Sequence, residues 1–173
     1  LDVKRVSGWG TCKIYHDINK VREAATEMLK DKERFKDCPN YQHDIADVVR
    51  QTLTDSTYYL IKDIAASYEK KDMVAFKAQY TTFLGILNDL NRLLSQVGLF
   101  KLEKWTNSAR NICDEVPGTT EADRDWMEWN ARTLVTVWGP EQCAEQGRLH
   151  DYSSRQWGGM LNDFYLSRWE MFF

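Results

Sequence analysis

Two long runs of apolar residues at helical spacing, joined by four polar residues, restrict the possible folds of this chain more than any other feature. The first places Ile45, Val48, Val49, Leu53, Tyr59, Leu60, Ile64 and Tyr68 along one face of a helix over about Asp44 to Tyr68. The second repeats the pattern through Met73, Phe76, Tyr80, Phe83, Leu84, Leu87, Leu90, Leu94 and Val97 until Gly98. The link Glu69-Lys70-Lys71-Asp72 is short, and a short link between two long helices implies an antiparallel hairpin.

The remaining pattern supplies partners for that hairpin. Ile18, Val21, Ala25, Met28 and Leu29 mark a helix from Asp17 to Lys30, followed by a polar connector, Asp31 to Asn40. Leu102, Trp105, Ala109 and Ile112 mark a fourth helix within Leu99–Cys113, closed by Pro117-Gly118. Thr119-Thr120 caps a fifth, which runs to Val137 with Trp126, Trp129, Thr133, Leu134 and Val137 as its apolar positions. Thr133–Trp138 is rich in β-branched residues, but no second strand exists for it to pair with, so it reads as helix. A sixth helix, Ser153 to Leu166, buries Trp157, Met160, Leu161, Phe164 and Tyr165. The expectation is one all-α domain over residues 1–173, a bundle of about six helices with the long hairpin at its centre.

Composition narrows the function classes. With 43% hydrophobic residues in 173, the chain can bury a core as a single domain. Its 23 basic and 26 acidic residues are interleaved, as in Lys30-Asp31-Lys32-Glu33-Arg34, which argues against a nucleic-acid surface and against binding to an anionic membrane. No apolar run approaches the roughly 20 residues of a membrane span. Cys12, Cys38, Cys113 and Cys143 are widely spaced, without zinc-type pairing with His, and read as free thiols. No Glu-x-x-His occurs, so neither a carboxylate-bridged metal site nor a cofactor is assigned. Arg168-Trp169-Glu170-Met171-Phe172-Phe173 reads as the opening of a further amphipathic helix, and the chain starts at Leu1 without a Met; both point to a piece of a longer protein.

The richest stretch for function is Asn130–Trp169. Gly139 can adopt the left-handed conformation that closes a helix and Pro140 cannot continue it, which places Trp138 at a helix C-terminus. Ser153 and Gln156 have capping-box spacing, which places Tyr152 at the start of the next helix. An aromatic ring at such a mouth can present its apolar face to a pyranose while its N–H or O–H donates a hydrogen bond. The competing readings are a hydrophobic cap for Trp138 and a staple against its own helix for Tyr152. Gly158-Gly159, inside the expected sixth helix, costs up to about 2 kcal/mol relative to alanines. Close approach by another backbone, from this bundle or from another domain, would offset that cost. Glu103, Glu121, Glu128, Glu141, Glu145 and Asp151 lie near this region in the chain, but none has the apolar surroundings that would raise its pKa for acid catalysis. His150-Asp151 is read as a helix start rather than an acid/base dyad.

Three motifs in this stretch, Asn130-Ala131-Arg132…Thr136-Val137-Trp138-Gly139-Pro140, Asp151-Tyr152-Ser153-Ser154-Arg155-Gln156-Trp157-Gly158-Gly159 and Phe164-Tyr165-Leu166-Ser167-Arg168-Trp169, resemble the C-terminal helical region of the alpha-N-acetylglucosaminidases, glycoside hydrolase family 89. A weaker likeness extends back through Tyr41-Gln42-His43-Asp44 to Arg50-Gln51. The resemblance implies an exo-acting, retaining enzyme that removes terminal α-linked N-acetylglucosamine. Its two catalytic Glu lie on a preceding (β/α) barrel domain, so this chain holds no catalytic residue and by itself is expected to be inactive. It further implies that Trp138 and Tyr152 line the substrate pocket with Leu149, although the loop Glu141–His150 is longer than the usual family loop. The absence of an Asn-x-Ser/Thr sequon leans towards a bacterial secreted or periplasmic protein rather than a lysosomal one. Two other readings remain open at this stage: a stand-alone helical module that binds a glycan or a protein, and a purely structural brace.

Overall fold

The computed structural model describes residues 13–138 and 155–173. The long hairpin is its backbone: α3, Pro39–Glu69, and α4, Met73–Leu94, pack along each other. Lys71 turns the chain with a positive φ of 58°, and the Asp72 carboxylate accepts from the Ala75 amide at 3.0 Å to cap α4. The helix α3 begins five residues before the expected Asp44. Pro39 fits its first turn, where its missing N–H is not needed, and Tyr41 anchors that turn by donating to the Met28 carbonyl.

Preceding the hairpin, α1, Ile18–Lys30, lies on α3. The expected polar connector contains a single helical turn, α2, Lys32–Phe35. After the hairpin, α4 stops at Leu94 rather than Gly98, and a 3-10 turn, Gly98–Phe100, leads into α5, Leu102–Asn111. A second 3-10 turn, Ile112–Glu115, precedes α6, Glu121–Val135. Thr120 and Asp123 form a reciprocal capping box at the start of α6, and α5 and α6 pack as a second hairpin.

The last described segment joins the two hairpins and differs most from expectation. Residues 155–157 are not helical, Gly158 makes an isolated parallel bridge with Lys101, and Gly159 has φ +91°. Gly158-Gly159 is therefore outside the helix, and the reason for a glycine at 158 is contact within this chain, with the end of α4. The chain becomes helical only at Met160 and continues through a π-helical segment, Leu161–Leu166, into α7, Ser167–Phe172. The wider π turn sets both Tyr165 and Leu166 beside Leu161 on the hairpin core of Ile64, Phe76, Phe83, Leu87, Leu90 and Leu94. Met160 and Phe164 face the other way, into a second core with Leu102 of α5 and Val135 of α6. Trp169 and Phe173 then close over Phe83, with ring centroids 4.9 and 5.8 Å away.

The all-α expectation holds, but the inward faces of individual helices were not all as expected. Tyr59, Tyr68 and Met73 are exposed. On α6, Trp126 is 62% and Trp129 51% exposed, the two rings stacked on each other at 5.0 Å, while Ala131 and Val135 are buried. Arg110 of α5 explains this orientation. It donates to Asp125 at 2.7 Å, to Glu128 at 3.0 Å and to Glu121, drawing the charged side of α6 inwards and leaving the tryptophans outside. Cys113 is a buried free thiol and Cys38 a half-buried one; Cys12 and Cys143 lie outside the described residues. Among the described residues no helix is long and apolar enough to cross a membrane.

Candidate functional site

Of the three expected substrate-facing residues, Trp138 falls within the described structure, whereas Leu149 and Tyr152 lie outside it, as do Gly139, Pro140, His150, Asp151 and Ser153. Trp138 is positioned by the end of α6. The helix stops at Val135, two residues before the expected Val137, because Thr136 leaves helical geometry at φ −120°, ψ −91°. The Thr133 carbonyl then accepts from the Thr136 amide at 3.2 Å and from the Trp138 amide at 2.7 Å, which satisfies an otherwise orphaned helix-end acceptor. Trp138 itself is left-handed, with φ 68°, whereas Gly139, for which the sequence suggested that conformation, lies outside the described residues. An L-residue held there costs about 1–2 kcal/mol. The residue is 39% exposed there.

Behind Trp138, α6 is held on α5 by apolar contact and by charge. Val135 shares a core with Leu102, and the Trp105 indole N–H donates to the Ala131 carbonyl at 2.8 Å. Arg132 and Arg110 both hydrogen-bond Glu128, at 2.7 Å and 3.0 Å, and hold its carboxyl below the usual carboxylate range against the opposing effect of partial burial. Glu121 is paired with Arg110 and Arg124. The shift at Glu128 is the opposite of what a catalytic acid requires. Glu103 is exposed; Glu141, Glu145 and Asp151 are outside the described residues.

Gln156, expected to cap the sixth helix, instead reaches across to α3. Its side-chain oxygen accepts from Arg50 at 2.9 Å and from Thr54 at 3.1 Å, while Asp47 holds the same guanidinium. Gly158 is pinned from both sides: its N–H donates to the Phe100 carbonyl at 2.8 Å, and its carbonyl accepts from Leu102 at 3.0 Å. The Gly159 amide donates to the Asn91 side chain at 2.8 Å. The described residues on either side of 139–154 thus have fixed supports: Trp138 on the end of α6, and 156–159 on α3, α4 and α5.

One carboxylate escaped the sequence reading. Asp55, only 5% exposed on α3, accepts from the His16 ring nitrogen and from Gln51, each at 2.8 Å. Its surroundings are fully hydrogen-bonded, which makes it a tie between the segment before α1 and α3 rather than an unused reactive group. The Gln51/Asp55 spacing of one helical turn was its only trace in the sequence. Among the described residues no group of three His, Cys, Asp or Glu converges as metal ligands.

This arrangement matches known proteins along almost the whole chain. Residues 3–173 match the family model described as "Alpha-N-acetylglucosaminidase (NAGLU) C-terminal domain". Human alpha-N-acetylglucosaminidase is 26% identical over 171 residues, which cover 98% of this chain and 22% of that protein. Two solved structures of a family 89 glycoside hydrolase from Clostridium perfringens, one in complex with 2-acetamido-1,2-dideoxynojirmycin and one with PUGNAc, superpose with TM-scores of 0.88 and 0.89. Each is 32% identical, and the match covers 98% of this chain and 19% of theirs. The chain spans about a fifth of the length of these relatives, which are larger proteins with further domains. With residues 3–173 matched by that model, the chain belongs to the family of alpha-N-acetylglucosaminidase C-terminal domains.

Proposed function

We propose that this domain forms one wall of the sugar pocket in an exo-acting α-N-acetylglucosaminidase that hydrolyses terminal α-linked N-acetylglucosamine with retention. The observation that carries the reading is Trp138, an aromatic residue held in left-handed backbone so that its ring stands out at the end of α6. Strained backbone that displays a side chain is a hallmark of binding sites, and an exposed indole offers an apolar face to a sugar and an N–H to its hydroxyls. The 2-acetamido inhibitor in one of the clostridial complexes supports N-acetylglucosamine as the recognised unit. The two catalytic Glu belong, on this reading, to a preceding (β/α) barrel domain; retaining chemistry needs two carboxyl groups about 5 Å apart. Leu149 and Tyr152 are assigned to the same wall.

Trp138→Gly and Trp138→Ala in the full-length enzyme test the reading on an aryl α-N-acetylglucosaminide. Glycine suits the left-handed backbone, so that variant removes the ring without straining the chain. The expected result is a KM raised about tenfold or more in both variants, with a lower kcat as well if the contact tightens at the transition state. Wild-type kinetics would remove Trp138 from the pocket. The competing reading, a stand-alone glycan-binding module, requires sub-millimolar affinity of this chain alone for N-acetylglucosamine by calorimetry. One wall of a pocket should bind far more weakly.

A further inference from the structure

The indole of Trp105 touches both α6 and the segment 155–159. Trp105 lies one turn after Leu102 on α5. On one side its N–H donates to the Ala131 carbonyl of α6 at 2.8 Å. On the other its ring meets that of Trp157, with centroids 6.2 Å apart and planes tilted by 46°. Trp157 is itself covered by the Arg155 guanidinium, 5.6 Å from its centroid, and adjoins Gly158, whose backbone is bonded to Phe100 and Leu102. Other contacts also hold these elements: α6 is capped at its start by Thr120 and Asp123, and 155–159 is held by Gln156 and Gly158. What Trp105 adds is a link between α6 and the segment 155–159.

We propose that Trp105 is a positioning residue for the sugar wall: its indole acts as a strut that fixes the end of α6, and so the Trp138 ring, relative to the segment 155–159. This rests on the reading of Trp138 as a sugar-facing residue. Stacking an indole on a pyranose depends on placement to within a fraction of an ångström. A shift of α6 against α5 therefore weakens the contact while leaving the chemistry on the other domain intact. Phenylalanine at 105 keeps a ring against Trp157 but loses the donor to Ala131. Leucine at 157 removes the ring on the opposite side.

The test uses the full-length enzyme and an aryl α-N-acetylglucosaminide, with Trp105→Phe, Trp138→Ala and the double variant. A strut raises KM about three- to tenfold in Trp105→Phe with kcat within about twofold of wild type, and adds nothing further when Trp138 is already alanine. A purely structural Trp105 would lower the melting temperature and the active fraction with KM unchanged. That result, or KM effects that multiply in the double variant, overturns the proposal while leaving the pocket reading in place. Wild-type kinetics in Trp138→Ala overturn the pocket reading and the strut with it. If Trp105→Phe fails to fold, Trp157→Leu carries the same measurements: a raised KM that vanishes in the Trp138→Ala background supports the strut, and an unchanged KM overturns it.

Discussion

Gly158 lies directly against Ser95. A Cβ at position 158 would stand 2.5 Å from the Ser95 Oγ, 2.6 Å from its backbone N and 2.8 Å from its Cα. Rotating the serine side chain relieves only the first of these contacts, so the end of α4 and the segment 155–159 would have to separate.

Gly158→Ala should therefore destabilise the 173-residue chain by about 3 kcal/mol, a melting-point drop of about 6–12 °C. Two other glycines serve as controls for this mechanism. Gly159 has open space apart from an ordinary contact with Leu102 at 3.6 Å, but its φ of +91° should make alanine cost about 1–2 kcal/mol. Gly85 is exposed in α4 with nothing within 4 Å, so Gly85→Ala should stabilise by about 0.5–1 kcal/mol. Calorimetric melts that fail to rank the three in this order would refute the close approach.

Removing the imidazole in His16→Ala leaves the buried Asp55 carboxylate with Gln51 as its one remaining hydrogen-bond donor of the two described. The expected loss is about 1–3 kcal/mol, read as a lower urea midpoint. An unchanged midpoint would show that the segment before α1 is not fastened to α3 through this pair.

Acid should loosen the α5–α6 layer. Glu128, hydrogen-bonded by Arg132 and Arg110, is held below its ordinary value of 4.5, and Asp123, hydrogen-bonded by Thr120, below its ordinary 3.8. Because the folded-state values are depressed, the stability they contribute is complete above the ordinary values and is lost as pH falls through the folded ones. Melting temperatures should hold from neutral pH down to about pH 5 and fall below that. Glu128→Gln should be less stable at neutral pH and lose less on acidification. Parallel wild-type and variant curves would contradict this assignment.

The stacked Trp126 and Trp129 face solvent on the side of α6 opposite Ala131 and Val135. If a neighbouring domain covers them, replacing both with glutamine should move the melting point of the 173-residue chain by no more than about 2 °C, as for surface substitutions generally. The same change should clearly lower the melting point of the full-length enzyme. Equal, small shifts in both proteins would leave the two rings as plain surface.

The hairpin of α3 and α4 was legible because each helix repeats its apolar residues over many turns, and Lys70-Lys71-Asp72 can only be a turn. The start of α6 was legible from Thr120, since a hydroxyl cap depends on residues three apart. The side of α6 that carries Trp126 and Trp129 was not legible as the outer one, for a physical reason. Periodicity identifies a face but not its partner, and Arg110, Arg124 and Glu128 made the charged side the inner one. Ser153 and Gln156 have the spacing of a capping box, yet Gln156 finds better donors in Arg50 and Thr54, on a helix about a hundred residues earlier in the chain.

The sequence alone determined the helical class, the central hairpin, the emergence of Trp138 at a helix end and the family likeness, because each rests on residues a few positions apart. Only the tertiary structure decided that Trp138 is left-handed, that Gly158 serves a contact with Ser95, and that 155–159 lies outside the helix. Those outcomes depend on groups from α3, α4 and α5 competing for the same backbone. Such a competition is resolved by packing and hydrogen-bond satisfaction across the whole domain, not by local propensity.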